Sequence, residues 1–562
     1  MLAKKHYDLW LKMAKEDIDL VSELRGLNKN DINLRFSENL NFGTAGIRAI
    51  MGVGTGRINI YTIRRITQGL CNYFKKNKKG DTTATIAFDP RNKSKIFAQE
   101  TVRVLCANSV KVFFNDEIRP TPFLSFCVRK FTCDIGIMIT ASHNPIQYNG
   151  YKCYGTDGSQ ITDSLASKIY DEIKNVDFFE TIKIMNFKDA INSKYFEIVN
   201  KDCCKEYIEC VENQSINKDV LKKTNLKVVY TPLNGCGLKF IKKVLKNKGL
   251  ENLFIVEEQK YPDSEFKTCK NLNPESEDAF SLAVLLAKKK NADLILATDP
   301  DSDRIGVKIK NNKDFITLTG NQIGALMLNY ILKSRRKMGT LPKKAIVIKS
   351  IVSTPMADLI AAKYDCKVID VLTGFKYIGK QILHLELEKK ESDFLFAFEE
   401  SCGYLLGTYV RDKDAVVASM IICEMSAYYK SKGQTLIDKI NHLYRKYGFH
   451  IEKTISYKLL GNNANNRIKE IMETIRNLSI KEICGRKFIE KIDFLKEYRN
   501  NSNFPKSNVI MLKFEDNGKI IIRPSGTESK IKAYIMLRGK TFKDASKLMK
   551  EFQNFTETLF KL

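Results

Sequence analysis

The chain has 562 residues, enough for about four domains of ordinary size. Hydrophobic residues make up 43% of it, which is typical of a globular protein with a large core and excludes an intrinsically disordered chain. The formal net charge is +28, but the lysines are spread along the whole chain, without zinc-finger spacing or an aromatic RNA-binding signature. We interpret the charge as a composition bias on solvated faces and expect no nucleic-acid partner.

The 14 cysteines are scattered, without a C-x-x-C pair, and several lie in apolar runs, as buried thiols do in a reducing compartment. The N-terminal segment MLAKKHYDLWLKMAKEDIDL lacks the apolar stretch of a signal peptide. No apolar run reaches the ~18 residues that a membrane span needs. We therefore expect a cytoplasmic protein without a membrane partner. As a separate expectation, the protein is a monomer or weak homodimer.

The first part of the chain contains a candidate phosphate-binding segment. Helical spacing of apolar residues predicts one or two packing helices over residues 4–27. The sequence NFGTAGIR follows, in which Gly43 and Gly46 allow close backbone approach to a ligand and Arg48 can donate two hydrogen bonds to a phosphate. Three more glycines come next as G-x-G-x-G. That spacing, with no strand predicted before it, argues against a dinucleotide-binding loop.

Alternating strands and helices then predict a parallel sheet with crossover connections. The predicted elements are strand 83–88, helix 96–107, strand 110–114 and strand 135–139. Asp89 and Arg91 follow the first strand, where they either pair with each other to hold a loop or act in a site directly.

The last of these strands ends in TASHNP, so Ser142 and His143 lie at the carboxyl end of a strand, where α/β proteins bind ligands. We expect the Asn149-Gly150 turn to fold Lys152 back toward this serine. A lipase-type nucleophile would need small residues on both sides of the serine, and His143 is not small. A serine can instead carry a phosphoryl group if a cation and basic side chains neutralise its charge.

A second α/β region, opening with a strand at 226–230, contains a candidate metal loop. After the predicted strand 292–297 the chain reads DPDSDR, which places Asp299, Asp301 and Asp303 at alternate positions. Carboxylates at this density repel one another unless a cation lies among them, and hard oxygens suit Mg²⁺ or Ca²⁺. The EF-hand pattern fails, because Arg304 and Lys310 stand where it needs Gly and Glu.

A third α/β region has predicted strands at 345–349, 367–371 and 393–398. Glu399 and Glu400 follow the last of them, and a carboxylate there can accept hydrogen bonds from sugar hydroxyls. The alternative is that the dipole of a following helix favours the acids, which could hold for Glu400 while Glu399 binds sugar.

From about residue 453 the pattern changes to strands and one long helix, which indicates a smaller α+β domain. Near its end the sequence RPSGTESK combines an arginine, two hydroxyls and a glycine, a composition that suits an anion cradle.

Four of these motifs together resemble the α-D-phosphohexomutase superfamily: FGTAGIR, TASHNP with YNGYK, DPDSDR and RPSGTESK, in the family's order and over nearly the whole chain. Phe398 before the glutamates and the segment RDKDA are similar to the phosphoglucomutase-2-like branch. Two residues depart from the pattern: Ala415 replaces a usual Gly, and Ser529 a usual Pro.

The resemblance implies residue roles. Ser142 would carry the phosphoryl group, and Mg²⁺ would bind Asp299, Asp301, Asp303 and a phosphate oxygen on Ser142. Arg48 and Arg304 would stabilise charge, with Lys152 or His143 as general acid or base. The expected sugar-binding residues are Thr373, Gly374, Lys376, Glu399, Ser401 and Lys413. The expected holders of the unreactive phosphate are Arg523, Ser525, Gly526 and Thr527.

The fold expected from this resemblance has three similar α/β domains with mixed sheets and a smaller C-terminal α+β domain around a central cleft. We place the domains at residues 1–222, 223–340, 341–452 and 453–562. The expected activity is interconversion of glucose 1-phosphate and glucose 6-phosphate, with small sugar phosphates as partners and glucose 1,6-bisphosphate as intermediate and activator. Phosphopentomutase, glucose-1,6-bisphosphate synthase and a catalytically idle scaffold stay open as alternatives.

Overall fold

The computed structural model describes residues 2–43, 46–459, 464–483, 485–496, 504–525 and 530–561. The chain forms two compact units. Unit 1 comprises Met1–Gly320, Phe375–Ala397 and Ser401–Lys432, and unit 2 comprises Asn321–Gly374, Phe398–Glu400 and Gly433–Leu562.

Three helices open unit 1: α1 (Leu2–Met13), α2 (Ile18–Arg25) and α3 (Lys29–Phe36). Asp17 caps α2 and Asn28 caps α3, because each side chain accepts a backbone N–H of the first helical turn. Trp10 is 1% exposed and packs edge-on against the rings of Phe36 and Tyr61. The predicted packing role of this segment is confirmed.

The first sheet contains six strands, in the order β1-β5-β4-β2-β3-β6. The strands are β1 (Gly46–Ile50), β2 (Thr83–Phe88), β3 (Lys111–Phe114), β4 (Ile135–Ile139), β5 (Tyr148–Tyr154) and β6 (Phe196–Ile198). The helices between and after them are α4 (Ile60–Asn77), α5 (Ser94–Ala107), α6 (Thr121–Lys130), α7 (Asp163–Lys174), α8 (Phe187–Asn192) and α9 (Lys201–Glu212). Strands β4, β2, β3 and β6 run parallel, β5 runs antiparallel to β4, and the edge strand β1 runs antiparallel to β5.

Every residue of β4 is buried, as expected for a central strand of a sheet covered on both faces. The predicted bounds of β2 and β4 are confirmed. The expectation that no strand precedes Gly52, Gly54 and Gly56 is wrong, because β1 ends just before them. The strand has five residues, begins at a glycine and contains a charged arginine, so its sequence lacks a clear apolar run. Its pairing with β5 could not be predicted from the local sequence.

The second sheet contains five strands, in the order β11-β10-β9-β7-β8. They are β7 (Lys227–Thr231), β8 (Asn252–Ile255), β9 (Leu294–Thr298), β10 (Ile305–Asn311) and β11 (Asp314–Leu318), with helices α10 (Leu238–Asn247) and α11 (Ser281–Lys290). Strand β7 pairs in parallel with β8 and β9, and β9 continues into the antiparallel neighbours β10 and β11. This sheet is also mixed, as predicted.

A third sheet has the order β13-β12-β14-β15, in which β12 and β13 are parallel. Its strands are β12 (Ile346–Ser350), β13 (Lys367–Val371), β14 (Phe394–Glu399) and β15 (Gly403–Leu406). The helices of this region are α12 (Gly320–Lys337), α13 (Met356–Ala362), α14 (Phe375–Leu387), α15 (Ala415–Lys430) and α16 (Leu436–Tyr447).

The C-terminal region, in unit 2, has an antiparallel six-stranded sheet in the order β16-β21-β20-β19-β18-β17. Its strands are β16 (Phe449–Lys458), β17 (Glu482–Ile483), β18 (Arg486–Asp493), β19 (Ile510–Phe514), β20 (Lys519–Pro524) and β21 (Lys530–Gly539). Two helices, α17 (Ala464–Asn477) and α18 (Phe542–Lys561), pack on this sheet, where the sequence predicted one. The predicted fold class, three α/β regions and a smaller α+β region, is otherwise confirmed.

In the part of the chain described here, no helix combines the length and the apolar character that crossing a membrane requires.

Candidate active site

Ser142 lies in unit 1, in the loop that connects β4 to β5. Its φ of +54° is in the left-handed region, where a residue with a side chain is strained. The N–H of Ser142 donates to Oγ1 of Thr140 over 2.8 Å. The side chain is only 1% exposed, so the loop fixes this hydroxyl in one direction rather than leaving it in solvent.

Arg91 and Asp89 hold this loop from behind. Nη2 of Arg91 donates to the carbonyl oxygens of Ser142 (2.6 Å) and Asn144 (2.5 Å), and Nη1 donates to two further carbonyls of the same segment. Oδ2 of Asp89 accepts from Oγ1 of Thr140 over 2.6 Å and lies 3.3 Å from Nε of Arg91. Of the two alternatives for these residues, pairing with each other to support the loop is confirmed.

The three aspartates of the second sheet form one buried carboxylate cluster. Asp299, Asp301 and Asp303 follow β9, and one carboxylate oxygen from each lies within 4.8 Å of the others. Asp299 and Asp301 are completely buried and Asp303 is 2% exposed. Ser142 Oγ donates to Asp299 Oδ2 over 2.6 Å, which joins the serine loop to this cluster.

The cluster fits a hard divalent cation. Among the described residues, Oδ1 of Asp301 and Oδ1 of Asp303 are buried and have no hydrogen-bond partner. Burial and the two neighbouring carboxylates raise the pKa of Asp299 well above its usual range. Unpartnered, buried carboxylate oxygens on one loop are the ligands that Mg²⁺ or Ca²⁺ prefers.

Lys152 reaches this cluster from β5. Its Nζ lies 2.7 Å from Oδ2 of Asp301 and 3.7 Å from Oδ2 of Asp303. Although burial opposes ionisation, the charge of Lys152 holds the pKa of Asp301 below its usual value. The turn predicted at Asn149-Gly150 is wrong, since both residues lie within β5; the strand itself carries Lys152 back, paired with Met138 of β4.

A second lysine lies on the other side of Asp303. Nζ of Lys413 is 3.2 Å from Oδ2 of Asp303 and 2.8 Å from Oδ1 of Asp412. Asp412 also accepts from the hydroxyl of Tyr154 over 2.9 Å. Lys413, predicted to bind substrate, therefore lies beside the carboxylate cluster.

Further basic groups surround Ser142. Nδ1 of His143 is 3.2 Å from Ser142 Oγ, and burial together with the charges of Arg304 and Arg48 holds the pKa of His143 well below its usual value. Nη1 of Arg48 contacts Oδ1 of Asn144 at 3.4 Å. These neighbours suit a site that receives negative charge.

Arg304 connects the aspartate loop to the predicted sugar-binding segment. Its backbone N–H donates to Oδ1 of Asp299 over 3.0 Å, and its Nη1 donates to the carbonyl of Ser401 over 3.2 Å.

Lys376, another predicted sugar-binding residue of unit 1, forms a 2.6 Å ion pair with Asp163.

The remaining predicted sugar-binding residues belong to unit 2. The backbone N–H of Gly374 donates to Oε1 of Glu399 over 2.7 Å, and Gly374 has a φ of +123° that favours glycine. Thr373 is half-buried between β13 and this glycine. Glu400 accepts from Ser350 Oγ over 3.0 Å. Glu399 thus lies at the end of β14 as predicted.

The predicted phosphate loop is described in part. Nη2 of Arg523, on β20, contacts the hydroxyl of Tyr534 at 3.5 Å, and the N–H of Ser525 donates to the carbonyl of Lys530 over 2.8 Å. Gly526 and Thr527 lie outside the described residues.

Sequence reasoning missed Thr121, the first residue of α6. Its Oγ1 donates to Oδ2 of Asp301 and its backbone N–H donates to the carbonyl of Asp301, each over 2.8 Å. Only the sequence Arg119-Pro120-Thr121-Pro122, a helix start with proline, marked this position. Nothing local indicated a contact with a residue so far along the chain.

The chain is similar to known proteins over most of its length. Family models described as phosphoglucomutase/phosphomannomutase, alpha/beta/alpha domains I, II and III match residues 39–180, 205–312 and 319–447. A protein named phosphoglucomutase from Staphylococcus aureus (strain MSSA476) is 36% identical over 559 residues, which cover 97% of this chain and 98% of that protein. The protein of the same name from strain USA300 gives the same identity and coverage.

Solved structures resemble the fold. The open form of the exocytosis-sensitive phosphoprotein pp63/parafusin, a phosphoglucomutase from Paramecium, has a TM-score of 0.70 at 18% identity and covers 91% of this chain and 94% of its own. A putative phosphomannomutase from Thermus thermophilus has a TM-score of 0.69 at 19% identity, with coverage of 92% and 99%. From the three family models and the relatives of nearly full length, the chain belongs to the phosphoglucomutase/phosphomannomutase family.

Proposed function

We propose that the protein is a phosphoglucomutase that interconverts glucose 1-phosphate and glucose 6-phosphate through a phosphorylated serine. The observation that carries this proposal is the 2.6 Å contact between Ser142 Oγ and Asp299 Oδ2, which places a strained, buried serine on a carboxylate cluster suited to a cation. The relative that is 36% identical over almost the full chain bears the name phosphoglucomutase.

In the proposed reaction, phosphorylated Ser142 transfers its phosphoryl group to the free hydroxyl of a glucose monophosphate, which gives glucose 1,6-bisphosphate. The bisphosphate then reorients, and its other phosphoryl group returns to Ser142. Mg²⁺ bound by Asp299, Asp301, Asp303 and a serine phosphate oxygen would supply positive charge to the transferred group. Each turnover begins and ends with the phosphoenzyme, so trace bisphosphate is expected to activate the protein.

The basic side chains of unit 1 would stabilise the charge that develops during transfer. Arg48 and Arg304 can donate hydrogen bonds to phosphoryl oxygens. Lys152 and His143 are the candidates for the acid or base at the sugar hydroxyl. The imidazole is expected to be neutral near pH 7, because its pKa lies well below the usual value, so it can accept a proton. Nζ of Lys152 lies 2.7 Å from Oδ2 of Asp301, beside the carboxylate cluster.

Recognition of the sugar and of the second phosphate is assigned by the family resemblance. Glu399 would accept hydrogen bonds from sugar hydroxyls, with Gly374 fixing its carboxylate through the 2.7 Å contact. The other residues assigned to the sugar are Thr373, Lys376, Ser401 and Lys413. The residues assigned to the unreactive phosphate are Arg523, Ser525, Gly526 and Thr527.

The proposal retains four domains, at residues 1–222, 223–340, 341–452 and 453–562. The three matched family models and the antiparallel C-terminal sheet support this division. Limited proteolysis that cuts near residues 222, 340 and 452 would agree with it.

The cysteines that the structure describes are free thiols, which fits the proposed cytoplasmic location.

Turnover of glucose 1-phosphate against ribose 1-phosphate, with Mg²⁺ and trace glucose 1,6-bisphosphate, tests the proposal. Faster conversion of the hexose, abolished in Ser142→Ala, would support it. The matched control is Ser419→Ala, which removes a buried hydroxyl that bonds the carbonyl of Ala415 in its own helix. A preference for the pentose would change the substrate class, and no turnover by a folded protein would contradict the proposal.

A further inference from the structure

Two cysteine side chains meet between helices α6 and α9 of unit 1. Sγ of Cys127, on α6, lies 3.7 Å from Sγ of Cys203, on α9. Both residues are 0% exposed. The contact joins positions separated by 76 residues, so it is made by helix packing and not by sequence proximity.

The surroundings of Cys203 favour its thiolate. Cys203 is in the first turn of α9, where Asn200 caps the helix and accepts the N–H of Cys203 over 3.0 Å. A helix N-terminus stabilises negative charge on a thiol in its first turn. The hydrogen bond with Cys127 and, against the effect of burial, the charge of Lys130 lower the pKa of Cys203.

Cys127 has the opposite setting. Burial, with the hydrogen bond to Cys203, raises its pKa well above the usual value, so it is a protonated thiol. A thiol that donates to a neighbouring thiolate supplies both partners of a disulfide-forming reaction.

We propose that Cys127 and Cys203 form an oxidation site, in which a peroxide converts the two thiols to a disulfide that links α6 to α9. The Cys203 thiolate attacks one oxygen of hydrogen peroxide, the O–O bond breaks, and the departing hydroxide takes a proton to become water. The resulting sulfenic acid is attacked by the sulfur of Cys127, which loses its proton. The S–S bond forms, the S–O bond breaks, and a second water leaves, so two thiols are oxidised and one peroxide is reduced.

The first turn of α9, which contains Cys203, lies at the surface. Lys201 and Asp202 are exposed, and Cys204, next to Cys203, is half-buried. A short opening of this surface turn admits a molecule as small as hydrogen peroxide, whereas a larger oxidant would need a wider opening.

The disulfide would act on the carboxylate cluster through α6. The sulfurs must close from 3.7 Å to the roughly 2 Å of a disulfide, which pulls α6 and α9 toward each other. Helix α6 begins at Thr121, which donates twice to Asp301. Because such supporting hydrogen bonds orient a metal ligand, we expect roughly tenfold weaker Mg²⁺ activation in the oxidised protein. This consequence rests on the proposed function; the disulfide itself does not.

The test treats the folded, full-length protein with limited hydrogen peroxide, blocks free thiols with N-ethylmaleimide and maps cross-linked peptides by mass spectrometry. A Cys127–Cys203 linkage that dithiothreitol removes is the expected result. The linkage should be absent from Cys127→Ala and Cys203→Ala and present in Cys423→Ala, a control at a buried thiol on α15. Circular dichroism verifies that each variant is folded.

Oxidation confined to other cysteines, or of Cys203 only to sulfinic acid, would overturn the proposal, whatever the enzyme's activity. A formed linkage with an unchanged Mg²⁺ dependence of turnover would overturn the coupling through Thr121. Loss of activity on oxidation that persists in Cys127→Ala would also contradict that coupling.

Discussion

The guanidinium of Arg91 donates to the backbone carbonyl of Ser142 over 2.6 Å, from a side chain that is itself fully buried. The same group bonds three further carbonyls of the serine loop, so one side chain holds the loop at four points. Because Ser142 has a strained positive φ, the loop needs such support to keep its hydroxyl against Asp299.

We predict that Arg91→Lys lowers kcat by about 100-fold while KM changes little. Lysine keeps the positive charge beside Asp89 but cannot reach four carbonyls, so the serine is displaced without loss of substrate contacts. A displacement of about 1 Å at a reacting group costs about this factor. The measurement is steady-state kinetics together with the extent of Ser142 phosphorylation by glucose 1,6-bisphosphate.

Arg103→Lys is the control for this variant, since Arg103 also bonds a backbone carbonyl, that of Met185, but lies away from the serine loop. It should keep wild-type kinetics. A wild-type kcat in Arg91→Lys would show that the loop holds its conformation without the guanidinium.

The carboxylate cluster predicts the metal dependence. Asp303→Asn removes one charged oxygen ligand and leaves Lys413 facing a neutral amide, so both Mg²⁺ affinity and kcat should fall, the latter by more than about 100-fold. Activity against Mg²⁺ concentration and calorimetric titration with Mg²⁺ measure the two effects. Asp219→Asn, at an exposed position, should change neither. An unchanged Mg²⁺ affinity together with an unchanged kcat in Asp303→Asn would exclude Asp303 as a ligand.

The sequence was sufficient to predict the elements that carry the site, because each is marked by a local pattern. The apolar run 135–139 ends in a polar loop, and this predicted both β4 and the position of Ser142. The alternating aspartates likewise predicted the cluster, since like charges at that spacing require a cation.

Contacts between distant segments could not be predicted in this way. Thr121 and Asp301 are 180 residues apart, and their hydrogen bond exists only because the start of α6 lies beside the loop that follows β9. The Asn149-Gly150 pair has the composition of a turn, yet antiparallel pairing with β1, as Ala49↔Asn149 and Arg48↔Gly150, keeps it in a strand. The turn propensity of a residue pair predicts its secondary structure poorly where a neighbouring strand supplies backbone hydrogen-bond partners.

Packing around the single tryptophan gives a stability prediction. Phe36 is 0% exposed and packs edge-on against Trp10, with ring centroids 5.7 Å apart. Phe36→Ala should lower the free energy of unfolding of this region by about 3–5 kcal/mol, because it leaves a cavity. Urea unfolding followed by the fluorescence emission of Trp10 measures this free energy of unfolding. Leu34→Ala on the same helix, where the side chain is 69% exposed, should change it by less than about 0.5 kcal/mol.

His450 gives a pH dependence in unit 2. Burial and the charge of Arg538, its partner across β16 and β21, lower the pKa of His450 to about 4, against the effect of the Tyr447 carbonyl. An unfolded chain protonates this histidine near its ordinary pKa of about 6.5. At this site the unfolded state therefore binds more protons between these values, so the contribution of His450 to stability is fully present above pH 6.5 and falls by about 3 kcal/mol as the pH drops to 4.

The chain has 5 histidines, so their ring signals can be resolved by NMR in protein labelled with ¹³C-histidine, and His450→Gln assigns one of them. That signal should titrate near pH 4. The protection of β16 amides against hydrogen exchange should increase less on raising the pH from 4 to 6.5 in His450→Gln than in the wild type. The comparison is needed because burial raises the pKa of Glu452, on the same strand, to about 7, which gives the opposite slope in this range. Equal slopes in the two proteins, or a His450 signal that titrates near pH 6.5, would contradict the buried neutral imidazole.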